Sequence, residues 1–210
     1  MSTSVGEAVV GVILAGGMAS RMGGGDKPLF TLAGRPMLDS VLERLAPQCS
    51  RMVLSANGDP ARFANYGLPV VADPVTGFVG PLAGILAGMD WAARELPAAE
   101  LIATVPGDCP FLPRDLVSRL SEARRAQVAD IALAASGGRT HNVVGLWPVA
   151  LRDHLRQAIV AERLRKVALW TSRYRTVSVP WVEGPIDPFL NVNSPGDLEE
   201  AERLARMLES

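Results

Sequence analysis

The side chains of this sequence that suit phosphate chemistry begin with two glycines, Gly16 and Gly17, at the end of an apolar run. Arg21 follows, then Gly23-Gly24-Gly25, then Lys27. Glycine lets backbone N–H groups approach an anion closely, because no Cβ intervenes. Arg21 offers forked donors and Lys27 a mobile point charge. The stretch therefore reads as a cradle for a polyphosphate, with Arg21 acting on the phosphates that transfer. Two commoner glycine loops do not fit. A P-loop needs Gly-Lys followed by Ser or Thr, but here Asp26 precedes Lys27 and Pro28 follows it. A dinucleotide fingerprint needs G-x-G-x-x-G opening a helix, and Pro28 stands where its third glycine should be. The bland alternative is a solvated glycine-rich turn, which would leave both cations as ordinary surface charges.

Carboxylates and amides come next. Asp108 lies in Pro106-Gly107-Asp108-Cys109-Pro110, where two prolines restrict the backbone. Mg²⁺ is usually held by one or two carboxylates plus substrate phosphates and water, and Asp108 is the candidate ligand. Its competing reading is an N-cap or Asx turn ahead of a helix at Pro113, a role open to Asp115 as well. Asp73, before Pro74, could accept hydrogen bonds from ribose hydroxyls or base N–H groups, or serve as a turn aspartate. Asn191 and Asn193 flank Val192, so both amides share one side of an extended segment. They suit a metal or substrate site, or plain helix capping. Cys109 reads as packing, since no histidine is placed to activate it.

The elements that must position these groups alternate between strand and helix patterns, which argues for an α/β fold with a mostly parallel sheet. Strands are predicted at Val9–Leu14, Met52–Ser55, Val70–Ala72, Leu101–Val105, Ile131–Ala135, Val143–Trp147 and Thr176–Val179. Helices are predicted at Pro36–Leu45, Pro81–Arg94, Pro113–Arg125, Val149–Glu162, Leu164–Thr171 and Pro195–Leu208, the last behind the capping-box pattern Ser194-Pro195-Gly196-Asp197. Gly80, Gly84 and Gly88 share a helix face, which implies close packing of that helix on the sheet. Asn57, Asp73 and Asp108 each follow a predicted strand, as Gly16 and Gly17 do. Open α/β sheets bind ligands at the carboxyl ends of their strands, so all five converge on one crevice.

Composition bounds the function classes. The chain has 210 residues, 48% of them hydrophobic, enough for a single globular domain spanning 1–210. A net charge of −1 argues against a nucleic-acid partner. Two cysteines are too few for a disulfide framework. The first residues lack the pattern of a secretory signal, and Pro81–Met89 is too short to span a bilayer, so a soluble cytoplasmic protein without membrane contact is expected.

Leu14-Ala15-Gly16-Gly17…Arg21-Met22-Gly23…Asp26-Lys27 resembles the signature of the molybdenum cofactor guanylyltransferases. Gly80-Pro81-Leu82-Ala83-Gly84, Pro106-Gly107-Asp108-Cys109-Pro110-Phe111 and Asn191-Val192-Asn193-Ser194-Pro195-Gly196-Asp197-Leu198 resemble that family's later blocks, in order, so the likeness runs from Val9 to Leu204. It implies a three-layer α/β/α, Rossmann-like nucleotide-diphospho-sugar-transferase fold. It implies transfer of GMP from GTP to molybdenum-loaded molybdopterin with release of pyrophosphate, Mg²⁺ as cofactor, and molybdoenzyme-delivery proteins as further partners. The implied GTP site is Leu14, Ala15, Gly16 and Gly17, Lys27, Asn57, Asp73 and Asp108, with Asp108 also on Mg²⁺. The block Arg139-Thr140-His141-Asn142-Val143 resembles one that often reads Arg-x-His-Pro-Val; Asn142 replaces the proline, which implies a different loop geometry near the pterin site. CTP with molybdopterin, or another NTP with a sugar phosphate, would be the same chemistry. A non-catalytic nucleotide carrier and an NAD oxidoreductase are the competing classes.

Overall fold

A computed structural model describes residues 7–16, 25–75, 77, 80–182 and 184–209. Its strands and helices, in chain order, are β1 (Val9–Leu14), β2 (Thr31–Leu32), β3 (Arg35–Pro36), α1 (Met37–Leu45), β4 (Arg51–Ser55), β5 (Val70–Val71), α2 (Pro81–Glu95), β6 (Leu101–Pro106), α3 (Leu116–Ala126), β7 (Ile131–Ser136), β8 (Arg139–Pro148), α4 (Arg152–Val160), α5 (Val167–Thr171), β9 (Thr176–Pro180) and α6 (Pro195–Glu209). Seven strands form one sheet in the order β5-β4-β1-β6-β8-β7-β9. β8 alone runs against the rest, pairing antiparallel with β6 and β7. The other pairings are parallel.

Alternation along β1 shows why this is a three-layer molecule. Val9 and Ile13 pack with Leu38, Val41 and Leu45 of α1 and with Leu116 and Leu120 of α3. Val10 and Val12 face the opposite side, against Leu82, Ile85, Leu86 and Met89 of α2 and residues of α4 and α5. A strand apolar on both faces must be covered on both faces, and the chain supplies helices to each. A third, smaller core joins Leu32, Met37 and Phe111 to Val192, Ala201 and Leu204, which docks α6 beside the β2–β3 hairpin.

Of the three glycines expected on one face of α2, Gly84 and Gly88 lie on the sheet, whereas Gly80 is the N-cap residue with φ of +144° and makes no such close approach among the described residues. A Cβ on Gly84 would sit 2.8 Å from Leu14 Cδ2 and 2.9 Å from Ser55 Oγ; one on Gly88 would sit 2.6 Å from Val12 Cγ2. Helix starts differ most from expectation, α5 among them at Val167 rather than Leu164. α3 begins at Leu116 rather than Pro113, with Asp115 at the N-cap position making no side-chain cap. The helix expected from Val149 opens with a 3-10 turn, Val149–Leu151, before α4.

β8 is the larger correction. It was expected at Val143–Trp147 but begins at Arg139, so Asn142 lies within a strand rather than a loop. Ala134 pairs with His141 while Leu133 pairs with Gly145. Asn142, Val143 and Val144 therefore bulge out of register, and Thr104 Oγ1 donates to Val143 O at 2.7 Å to hold them. Among the described residues no helix is long and apolar enough to cross a membrane.

Candidate active site

The chain leaves β1 toward β4 and β5 on one side and β6 on the other, so the carboxyl end of β1 is a topological switch point. Ala15 N donates to Ser55 O at 2.8 Å, and Gly107 N donates to Leu14 O at 3.0 Å. These bonds continue the ladders past the strand ends and fix Ala15 and Gly107 side by side. Ala15 is buried, whereas Gly16 is exposed and a Cβ there would meet no atom of the described residues within 4 Å. Gly17 and Arg21 lie outside the described residues.

The described chain resumes at Gly25, whose φ of +92° suits glycine. It then forms a 3-10 turn, Lys27–Leu29, with Pro28 buried. That turn lies directly against the exit of β6: a Cβ on Gly107 would stand 2.7 Å from Pro28 Cγ. Glycine at 107 is what lets the two loops touch, and the contact delivers Lys27 to Asp108. Lys27 Nζ lies 3.0 Å from Asp108 Oδ2, with both side chains little exposed. The same ammonium donates to Asn193 Oδ1. Asp108 Oδ1 accepts from Asn191 Nδ2 at 3.1 Å, and Val192 N donates to Asp108 O at 3.0 Å. Asp108 thus binds the 187–193 segment and Lys27; no helix-capping bond engages it among the described residues.

The two amides of the Asn-Val-Asn segment turn to the Asp108–Lys27 pair rather than to the start of α6. Asn191 reaches Asp108 and Asn193 reaches Lys27. The capping of α6 falls to its neighbours: Asp197 Oδ2 accepts from Asn193 N and Ser194 N at 2.8 and 2.9 Å, and Asp197 N donates to Ser194 Oγ at 3.2 Å. The backbone N–H of Asn193, then Ser194 and the charge of Lys27, hold the Asp197 carboxyl below its ordinary pKa against its slight burial. Cys109 is fully buried, and burial, with the charges of Asp108 and Asp187, pushes its thiol well up. It packs as expected but also donates to Asn191 Oδ1 at 3.1 Å. That bond orients the amide whose nitrogen meets Asp108.

Asn57 and Asp73 form a second station at the ends of β4 and β5. Asn57 Nδ2 donates to Asp73 Oδ2 at 2.7 Å, and Asp73 N donates to Asn57 Oδ1 at 2.8 Å. Burial lifts the Asp73 carboxyl above its ordinary pKa, opposed by the Asn57 amide. An unread residue joins this station to the glycine loop: Arg62 donates to Asn57 O and its Nε lies 3.1 Å from Asp26 Oδ2. Nothing local in the sequence marks Arg62, which sits in a 3-10 stretch, Pro60–Tyr66, that carries no periodic pattern.

A cleft of about 460 Å³ opens on the far side of Asn191 and Asn193, lined also by Arg139, His141, Asn142 and Asp187. His141 Nε2 lies 2.7 Å from Ser136 Oγ, which lies 2.8 Å from Asp187 Oδ1. Sequence reasoning named His141 but missed both partners; the Ser136–Asp187 link spans 51 residues. Among the described residues no cluster of three or more His, Cys, Asp or Glu could hold a metal ion unaided.

Comparisons with known proteins identify the family and the shared fold. Residues 11–176 match the model of the MobA-like NTP transferase domain. A molybdenum cofactor guanylyltransferase from Bradyrhizobium sp. (strain ORS 278) is 60% identical over 207 residues, covering 99% of this chain and 98% of its own. One from Rhodopseudomonas palustris (strain BisB5) is 59% identical over 194 residues, covering 92% of each. Among solved structures, the molybdopterin-guanine dinucleotide biosynthesis protein A of Archaeoglobus fulgidus superposes with a TM-score of 0.75 at 22% identity, covering 94% of this chain and 99% of its own, which shows the shared fold. On the match over residues 11–176 and the identity of full-length relatives, the chain belongs to the MobA-like NTP transferase family.

Proposed function

We propose that this chain, acting as one nucleotidyltransferase domain, transfers GMP from GTP to the terminal phosphate of molybdenum-loaded molybdopterin. The names of its full-length relatives support the reaction. The observation that carries it to particular residues is the Lys27 ammonium, set between Asp108 and Asn193 at the switch point of the sheet. An oxygen of the molybdopterin phosphate attacks the α-phosphorus of GTP, the α–β bridging bond breaks, and pyrophosphate leaves with that electron pair. The attacking oxygen is already anionic at neutral pH, so no general base is required. Such a reaction needs positioning and charge neutralisation more than a covalent group.

The residues divide that work. Leu14 to Gly17 place the backbone of the glycine loop against the phosphates, and Lys27 and Arg21 supply positive charge. Asn57 and Asp73, locked to each other, offer a fixed carboxylate and amide to ribose or base. Mg²⁺ fits the donor set: the Lys27 ammonium already draws together two hard oxygens, Asp108 Oδ2 and Asn193 Oδ1, as a small cation requires. Asp108 would hold the ion with help from Asn193 and the nucleotide phosphates, freeing Lys27 for the phosphates. When bound, the metal supplies charge neutralisation on the transferring group.

The test is pyrophosphate release with Mg²⁺ and molybdenum-loaded molybdopterin, run with GTP, CTP and ATP in turn. Dependence on both GTP and molybdopterin is expected. A preference for CTP would move the chain to the cytidylyl branch, and turnover with a sugar phosphate but not molybdopterin would overturn the reading.

A further inference from the structure

We propose that His141 is a specificity residue, whose Nδ1 accepts a hydrogen bond from an N–H group of the molybdopterin ring system. The inference rests on the guanylyl-transfer reading above and goes beyond it by naming the contact. Its basis is a count of protons. Ser136 Oγ touches His141 Nε2 at 2.7 Å and Asp187 Oδ1 at 2.8 Å. A serine hydroxyl has one hydrogen, and an ionised carboxylate has none to give. The Ser136 hydrogen therefore goes to Asp187, and His141 must donate from Nε2 to Ser136. The neutral imidazole then keeps its lone pair on Nδ1. Asp187 cannot turn away from this duty, because its Oδ1 also accepts from Phe189 N at 3.0 Å.

Position gives that lone pair a use. His141 lines the cleft that also runs past Asn191 and Asn193, the amides engaged with Asp108 and Lys27. A long substrate whose phosphate lay at Lys27 and Asp108 would reach His141 by way of the two amides that border the cleft. Among the described residues Nδ1 has no partner, and the ring is held at its edge by Ser136 and at its face by Phe189, with centroids 4.8 Å apart. The aminopyrimidinone part of a pterin carries an amino group and ring N–H donors, and a fixed acceptor distinguishes it from rings that lack them. The proton count also predicts when the acceptor is lost. Burial, then Arg139 on the same strand, lower the pKa of His141, while Asp187 from the facing segment opposes them. Asp197 lines the same cleft. The ring is neutral at pH 7, and protonation in acid replaces the acceptor by a donor.

The substitutions separate the two ring nitrogens. Gln reaches about as far as Nε2 and Asn about as far as Nδ1, so His141→Gln keeps the Ser136 bond and His141→Asn keeps the acceptor. Metal-free molybdopterin is the binding probe, followed by quenching of protein fluorescence, and KM for GTP is the control. We expect His141→Gln to weaken molybdopterin binding by about threefold to tenfold, the worth of one neutral hydrogen bond, with KM for GTP unchanged. His141→Asn should bind more tightly than His141→Gln. The ¹⁵N shifts of the labelled wild-type ring at pH 7 should report hydrogen on Nε2, and wild-type binding alone should show an acid limb, displaced below the ordinary imidazole range. Hydrogen on Nδ1, or wild-type affinity in His141→Gln, overturns the role. Equal losses in both variants together with a raised KM for GTP would make His141 a structural residue only, which also overturns it. Failure of the wild type to bind molybdopterin would remove the guanylyl-transfer reading itself, a result distinct from wild-type transfer with an indifferent His141.

Discussion

The ammonium of Lys27 lies 3.0 Å from Asp108 Oδ2, although 81 residues separate them in the chain. The pair is little exposed, and Gly107 makes it possible by admitting Pro28 against the end of β6. A lysine held by a carboxylate is a cation on call. It neutralises Asp108 in the free chain and, in the proposed reaction, would be released to phosphate when Mg²⁺ takes the carboxylate.

Lys27→Ala should raise the Kd for GTP by tenfold to a hundredfold, the worth of a charge-assisted bond of about 1.5–3 kcal/mol. It should also lower the melting temperature of the free protein, since it strips one partner from a poorly hydrated carboxylate. Calorimetric titration with GTP and thermal melting check the two parts, and unchanged values in both would remove Lys27 from the site.

Asp108→Asn keeps the shape of the side chain, so the fold should survive, with a melting temperature lowered by loss of the Lys27 pair. Turnover should fall on the order of a thousandfold, several kcal/mol of transition-state stabilisation, through loss of the anchor for a hard cation. The check is guanylyl transfer across a range of Mg²⁺ concentrations beside a melting curve; native activity with unchanged metal dependence would return Asp108 to a turn residue.

The raised pKa of Asp73 has a definite sign for stability. Burial disfavours its charged form, so folding is favoured below the unfolded carboxyl pKa and loses that contribution as pH rises through the higher folded value. At pH 7 Asp73 therefore costs stability. Asp73→Asn should melt at a higher temperature than wild type at pH 7, with the gap closing toward about pH 4. Its KM for GTP should rise. Denaturation at the two pH values and steady-state kinetics test this, and a variant less stable at neutral pH would show that the carboxylate has a favourable partner.

Burial also sets thiol chemistry. Cys49 is pushed up to about 12 and Cys109 well above its ordinary value, both chiefly by desolvation. Neither should react appreciably with iodoacetamide at pH 8 in the folded protein, because the thiolate is the nucleophile. Both should react in denaturant. Mass spectrometry would read the adducts, and rapid labelling of folded Cys109 would contradict its burial.

Gly84→Ala should destabilise the fold by about 1–3 kcal/mol despite the better helix propensity of alanine, because its methyl enters Leu14 and Ser55. Leu14 and Ser55 end the strands that carry Ala15 and Asn57, so KM for GTP should rise as well. Urea unfolding and kinetics measure both.

What the sequence made legible was local. The apolar run of β1 and the glycines after it are adjacent residues, and the Ser194–Asp197 capping pattern is complete within four positions. The places of Asn57, Asp73 and Asp108 just past strand ends followed from the strand pattern, while their partners, Asn57 with Asp73 and Asp108 with Lys27, did not. Pairings between distant residues carry no local mark, so Arg62 with Asp26, and Ser136 with Asp187, were invisible. β8 was cut short because Arg139 to Asn142 are mostly polar and partly exposed, which hides strand periodicity. Its bulge exists only by comparison with β7.

The reversed direction of β8 bears on the order in which the cleft is assembled. β7 and β8 are joined by Gly137 and Gly138, with φ of +53° and +70°, values suited to a tight hairpin turn. A hairpin forms from contacts close in the chain, whereas the parallel strands around β1 wait for long crossovers. The hairpin bearing Ser136 and His141 is therefore expected to gain amide protection before the parallel strands that lead to Ala15 and Asn57. Pulsed hydrogen exchange during refolding would show β7 and β8 protected ahead of β1 and β4, so that the wall of the cleft around His141 takes shape while the end of β1 is still open chain.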